Sequence, residues 1–152
     1  MGLVSGPITI TPDLHHNGSG GSFAYIAKDA ALAPSNTAIV DIAVTAVNDA
    51  PVCPGVTATI TEDISGSVSL ACTDINTVDS TEIEIVALNL TGVSGPVPGL
   101  VTAPVPLNPA LNHEGSGGSF TYQATDTSSA ISNTGTVAID VTPVKDAPSA
   151  TT

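Results

Sequence analysis

A gapless internal repeat constrains this chain more than any other feature. Gly18-Ser-Gly-Gly-Ser-Phe23 returns as Gly115-Ser-Gly-Gly-Ser-Phe120, 97 positions later. The same offset carries Tyr25 onto Tyr122, Asp29 onto Asp126, Asn36 onto Asn133 and Asp49-Ala-Pro51 onto Asp146-Ala-Pro148. It also sets Gly2-Leu-Val4 on Gly99-Leu-Val101 and Val44-Thr45 on Val141-Thr142. Self-similarity at one fixed period means one structural unit used more than once. Residues 51–148 then form a whole module, residues 1–50 the second half of another, and residues 149–152 the start of a further linker.

The unit is written in strands. Residues 38–47 and 136–144 are rich in Val, Ile and Thr, while residues 57–61, 67–71 and 82–86 alternate apolar with polar side chains. Residues 119–123 set Phe120 and Tyr122 on one face. Clusters of Gly, Pro, Asn and Asp separate these runs, and no stretch carries a helical period. The pattern predicts an all-β chain built as an antiparallel sandwich. The Gly-rich segments lack the Lys-Ser/Thr that would follow a phosphate cradle, and read as turns ahead of the aromatic strand.

Charge removes whole classes of function. The chain has two lysines, no arginine and 14 acidic residues, for a formal charge of −12. Nucleic-acid binding through phosphates and anchoring on anionic membranes both need clustered cations, which this sequence does not have. No apolar run approaches the length of a membrane-spanning helix. No serine or cysteine sits in a nucleophile elbow, and Glu82 and Glu84 read as solvated strand residues, so an enzyme is not expected. His15, His16 and His113 fall in loops without the further ligands a transition metal needs.

A family resemblance rests on an ordered set of short motifs. Thr61-Glu-Asp63, Val68-Ser-Leu70 and Thr73-Asp74-Ile-Asn76 resemble the opening of the cadherin-like tandem repeats of bacterial and archaeal surface proteins. Phe120-Thr-Tyr122, Asp126, Val141-Thr-Pro-Val144 and Asp146-Ala-Pro148 resemble their closing half, and Val47-Asn-Asp-Ala-Pro51 their inter-module junction. The resemblance implies an immunoglobulin-like, cadherin-like sandwich, strung in arrays on large extracellular proteins, many of them adhesins. It also implies calcium at the junctions.

Strand order places the acidic groups. If successive strands alternate in direction, Asp49, Asp74, Asn76 and Asp126 gather at the junction pole, an oxygen set suited to calcium. Asp and Asn also favour turns for purely local reasons, which is the competing account of the same residues. Glu62, Asp63 and Asp146 would gather at the far pole, where Lys145 opposes a cation. Folding the first two strands about Glu62-Asp63 sets Cys53 opposite Cys72, and in an exported protein that predicts a disulfide. Asn17 and Asn89 head glycosylation sequons.

The expected role is structural: a segment of an extracellular filament or long cell-surface protein, with neighbouring copies of itself head to tail as partners. An adhesive module that binds glycan or protein through its loops is the alternative. Residues 1–50 lack the opening strands of a sandwich, so Ile39, Val40, Ile42, Val44 and Val47 are expected to need cover from elsewhere. A neighbouring copy, near its residues 51–98, is the expected source.

Overall fold

The computed structural model describes residues 4, 6–76 and 80–148, and the chain divides into two compact units, 1–47 and 48–152. Among the described residues the protein is all-β, with no helix. The second unit contains β3 (Val56–Thr61), β4 (Gly66–Val68), β5 (Glu82–Leu90), β6 (Val93–Ser94), β7 (Gly99–Leu100), β8 (Val105–Pro109), β9 (Gly115–Thr125) and β10 (Gly135–Thr142). One sheet runs β3-β10-β9-β5-β7 and a second runs β4-β8-β6.

Both sheets feed one core because each strand keeps a period of two. In β10 every second residue is buried, so Val137, Ile139 and Val141 point inward and Asp140 outward. Phe120, Tyr122 and Ala124 do the same from β9, and Val105 and Leu107 meet them from β8 in the opposite sheet. Each such side chain contributes roughly 1.5–3 kcal/mol on burial.

Three features depart from the sequence expectation. β3 does not pair with β4; the two strands belong to different sheets. Ile60 and Val68 are both in the core, and they close it from opposite sides, which a flat hairpin between the two strands would not do. Gly66 permits this approach, since a Cβ there would lie 2.7 Å from Ile60 Cγ2. Secondly, the expected all-antiparallel arrangement holds for every ladder but one: β3 and β10 run parallel, with Val137 beside Val56 and Thr142 beside Thr61. Thirdly, the Gly-rich segments are strand rather than turn. β9 starts at Gly115, and its ladder with β10 shifts register opposite Ile139–Asp140, a bulge at Gly117. A Cβ on Gly117 would lie 2.6 Å from Ile139 Cγ2, so the glycine makes room for a core side chain.

The first unit is a single antiparallel hairpin of β1 (Gly18–Tyr25) and β2 (Ala38–Val44). Its register is that of β9 and β10 shifted by the repeat: Phe23 faces Val40 as Phe120 faces Val137, and Gly18 faces Val44 as Gly115 faces Val141. The loops repeat as well. Ala33 N–H donates to Asp29 Oδ1 at 2.8 Å, as Ala130 N–H does to Asp126 Oδ1. Ala27 N–H donates to Ser35 Oγ at 2.9 Å, as Ala124 N–H does to Ser132 Oγ. Even the left-handed residues match, with Leu32 at φ 63° and Ser129 at φ 67°. Strand alternation corrects one detail of the expected apolar face: Val40, Ile42 and Val44 share a side, while Ile39 points the other way.

Candidate functional site

The junction pole of the complete module collects its polar side chains. β3 leaves this pole, β9 arrives at it, and the segments on either side of Cys53 and Cys72 meet there. Val52 and Thr73 exchange backbone hydrogen bonds of 2.7 and 2.9 Å, an isolated antiparallel bridge. The neighbouring opposed pair in such a ladder has no hydrogen bond of its own and a close Cα spacing of about 4.5 Å. Cys53 and Cys72 occupy that position, 4.4 Å apart at Cα, and form a disulfide with S–S 2.00 Å. The expected pairing therefore holds, although the strands beyond it diverge into two sheets.

Asn133 fastens this corner from the other side. Its Oδ1 accepts from Cys53 N–H at 2.9 Å and its Nδ2 donates to Cys53 O at 2.7 Å. Tyr122 adds a bond from its hydroxyl to Pro54 O at 2.6 Å, and burial pushes that phenol up from its ordinary pKa. Neither role was legible beforehand. The only sequence signal was that Asn133 and Tyr122 recur as Asn36 and Tyr25.

Hydrogen bonds link three of the residues expected at the junction to one another and the fourth, Asp126, to Asn48. Asp74 Oδ1 accepts from Asn76 N–H at 2.8 Å, and Asn76 Oδ1 accepts from Asp49 N–H at 2.8 Å. Asp126, only 6% exposed, accepts from Asn48 Nδ2 at 2.7 Å through Oδ2. The Asn48 amide above all, then the Ala130 and Ser128 N–H groups, hold the Asp126 carboxyl below its usual range against the opposing effect of burial. Asn48, which the sequence did not single out, thus supplies the strongest partner. These bonds pin the chain where it enters the module.

One oxygen at this pole stands apart. Asp74 Oδ2 is buried and has no hydrogen-bond partner among the described residues. It is the atom best suited to a cation, with amide, backbone and water oxygens completing the shell. Among the described residues no three His, Cys, Asp or Glu side chains converge as a metal-binding group. A cation here would rest on Asp74 with mainly neutral donors.

The far pole is built differently from the expected ligand cluster. Glu62 is 4% exposed, and its Oε1 accepts from Val144 N–H while its own N–H donates to Thr142 O at 2.9 Å. Thr142 Oγ1 donates to Ile60 O at 3.0 Å. Asp63, at φ 61°, turns the chain and accepts from Asn112 N–H at 2.9 Å. Asp146 and Lys145 are exposed. Glu62 therefore fastens the exit strand, in the way that Asn48 and Asp126 fasten the entry.

The remaining candidates are simple. Asn17 and Asn89 are exposed, so both sequons are accessible. His16 and His113 each lie 3.1 Å from a backbone carbonyl, of Ser19 and Ser116, and repeat one local contact. Phe120 and Tyr122 are 1% and 0% exposed, which makes them core residues and not sugar platforms. A cleft lined by Ile85, Val97, Leu100 and Pro104 has a volume of about 170 Å³, below the usual size of a small-molecule site. Among the described residues no helix is long and apolar enough to cross a membrane. The disulfide is of the kind that persists in oxidising surroundings. No protein-family model matches the chain, and no curated protein matches it.

Proposed function

We propose that this chain is a structural segment of an extracellular filament or long cell-surface protein, in which immunoglobulin-like, cadherin-like modules follow one another head to tail. One observation carries the reading: the chain enters the complete module at one pole and leaves it at the other, and both ends are latched. Entry is held by Asn48 on Asp126 and Asp49 on Asn76, exit by Val144 on Glu62. The entry strand β3 and the exit strand β10 run parallel and adjacent. Tension between the two ends therefore shears a whole ladder of hydrogen bonds and does not unzip it one bond at a time. That is the geometry a load-bearing link needs. The gapless 97-residue period and the Ala-Pro that closes each junction supply the repetition. Calcium resting on Asp74 Oδ2, with mainly neutral donors completing its shell, would stiffen the entry.

Extra copies of residues 52–148 placed after Pro148 test the proposal. Small-angle scattering is expected to show the maximum dimension growing linearly, by about 35 Å per module if the long axis follows an eleven-residue strand such as β9. Growth that collapses to a compact particle would overturn it. Specific retention of the chain on a glycan array would favour the adhesive alternative.

A further inference from the structure

The hairpin of residues 18–44 and its counterpart in the complete module differ only in what covers them, and the complete module displays the cover. β10 takes β3 as a parallel neighbour, β9 takes β5 as an antiparallel one, and β4, β6 and β8 close the other side of the core. All of these strands except β8 come from residues 51–97. In the hairpin the equivalent positions lie open. Tyr25 is 53% exposed where Tyr122 is 0%, and Val40, Ile42 and Val44 are half-buried where Val137, Ile139 and Val141 are 0–3% exposed.

We infer that β1 and β2 form a preorganised acceptor for an additional opening-half segment of the type of residues 51–97, supplied from outside these 152 residues. The inference deepens the array reading and rests on it for the identity of the partner. Stoichiometry selects that partner over a second copy. These 152 residues hold one opening half, 51–97, and two closing halves, 1–50 and 98–148. However copies of these 152 residues exchange strands, one closing half in each stays uncovered.

The repeat also sets the docking register. A strand equivalent to β3 lies parallel to β2, with its Val56 position beside Val40 and its Ile60 position beside Val44, as in the β3–β10 ladder. A strand equivalent to β5 lies antiparallel to β1, with its Leu88 position opposite Phe23 and its Ile85 position opposite Tyr25. Asn36 then takes the backbone of the Cys53 equivalent, and the Tyr25 hydroxyl the carbonyl of the Pro54 equivalent, as Asn133 and Tyr122 do. Preorganisation lowers the ordering cost, because the hairpin already holds the loop bonds of the covered form.

Hydrogen exchange on two proteins tests this: the 152-residue chain, and a chain with residues 51–97 placed directly before residue 1. In the extended chain, amide protection at Phe23–Tyr25 and Ile39–Val44 is expected to rise on the order of 100-fold or more, the mark of a cooperatively covered sheet. Ile42→Asp should cancel that gain while β9 and β10 stay protected. A second measurement adds the disulfide-closed peptide 51–97 to the 152-residue chain, where one peptide should bind per chain and protect the same amides. The inference is overturned if neither the extension nor the peptide protects the hairpin. It is equally overturned if the 152-residue chain protects it unaided, whether as a monomer or as a dimer of copies. A tandem array that fails to lengthen while the extended hairpin is protected would sink the array reading and leave the acceptor standing.

Discussion

β2 and β10 carry nearly the same sequence pattern, pair in the same register with nearly the same partner strand, and end in very different surroundings. In β10 alternate residues are fully buried; in β2 the same alternation reaches only half-burial. The loops that join the two strands of each hairpin hold the same side-chain bonds, at the same lengths to within 0.1 Å for the Asp and Ser caps. Local hydrogen bonding therefore specifies the hairpin, while only the opening half of a module supplies its core. Side chains that look equivalent in the repeat should consequently differ sharply in their energetic weight.

The largest difference is expected at the aromatic pair. Phe120→Ala should cost the complete module about 4 kcal/mol, as large core truncations do, whereas Phe23→Ala should change its stability by less than about 0.5 kcal/mol. Urea unfolding of the two variants measures both. Equal losses would mean that the hairpin is covered after all, and the comparison would break. The disulfide comes next, because it closes the opening half that the hairpin lacks. Replacing Cys53 and Cys72 together by Ala should remove about 3 kcal/mol by the chain-entropy account for a loop of this size, and leave hairpin exchange rates unchanged.

Calcium sharpens the comparison more gently, since its proposed site lies on the complete module. With an extracellular-type dissociation constant near 1 mM, roughly 10 mM calcium would stabilise by about 1.4 kcal/mol. That is a rise in melting temperature of several degrees, reversed by chelator and absent in Asp74→Asn. An unchanged melting point in wild type would remove calcium from the account. The smallest expected effect is on pH dependence. The folded-state pKa of Asp126 is depressed, chiefly by Asn48, so its contribution is present above the unfolded carboxylate pKa and lost as pH falls through the lower folded value. Acid titration of stability should show this loss, and Asn48→Ala should weaken it.

Much of this architecture was legible in the residues. The offset of 97 set the paired strands of both units in the same relation, because strand periodicity depends on neighbours close in the chain, whereas the Gly-rich segments read as turns proved to be bulged strand. The opposition of Cys53 and Cys72 was legible too, since a turn at Glu62-Asp63 returns the chain to its starting pole. The site was read less well. Asp49, Asp74 and Asn76 are linked by backbone N–H bonds and Asp126 is held by Asn48, which was overlooked, and among the described residues their carboxylates form no converging metal-binding group. Glu62 was read as a surface ligand and instead sits buried on Val144 N–H.

The division has a physical reason. Strand periodicity, turn conformation and side-chain caps arise from contacts within a few residues, so the residues alone disclose the β class, the repeat and most of the longer strands, while β6, β7 and β8 went unread. The choice of neighbours was left to the tertiary structure. Placing β3 parallel to β10 and sending β4 to the other sheet satisfies a requirement that no local segment carries: Ile60 and Val68 must bury one core from two sides. The buried place of Glu62 follows from that arrangement, because only after β10 lies beside β3 is there a backbone N–H at Val144 for its carboxylate to accept.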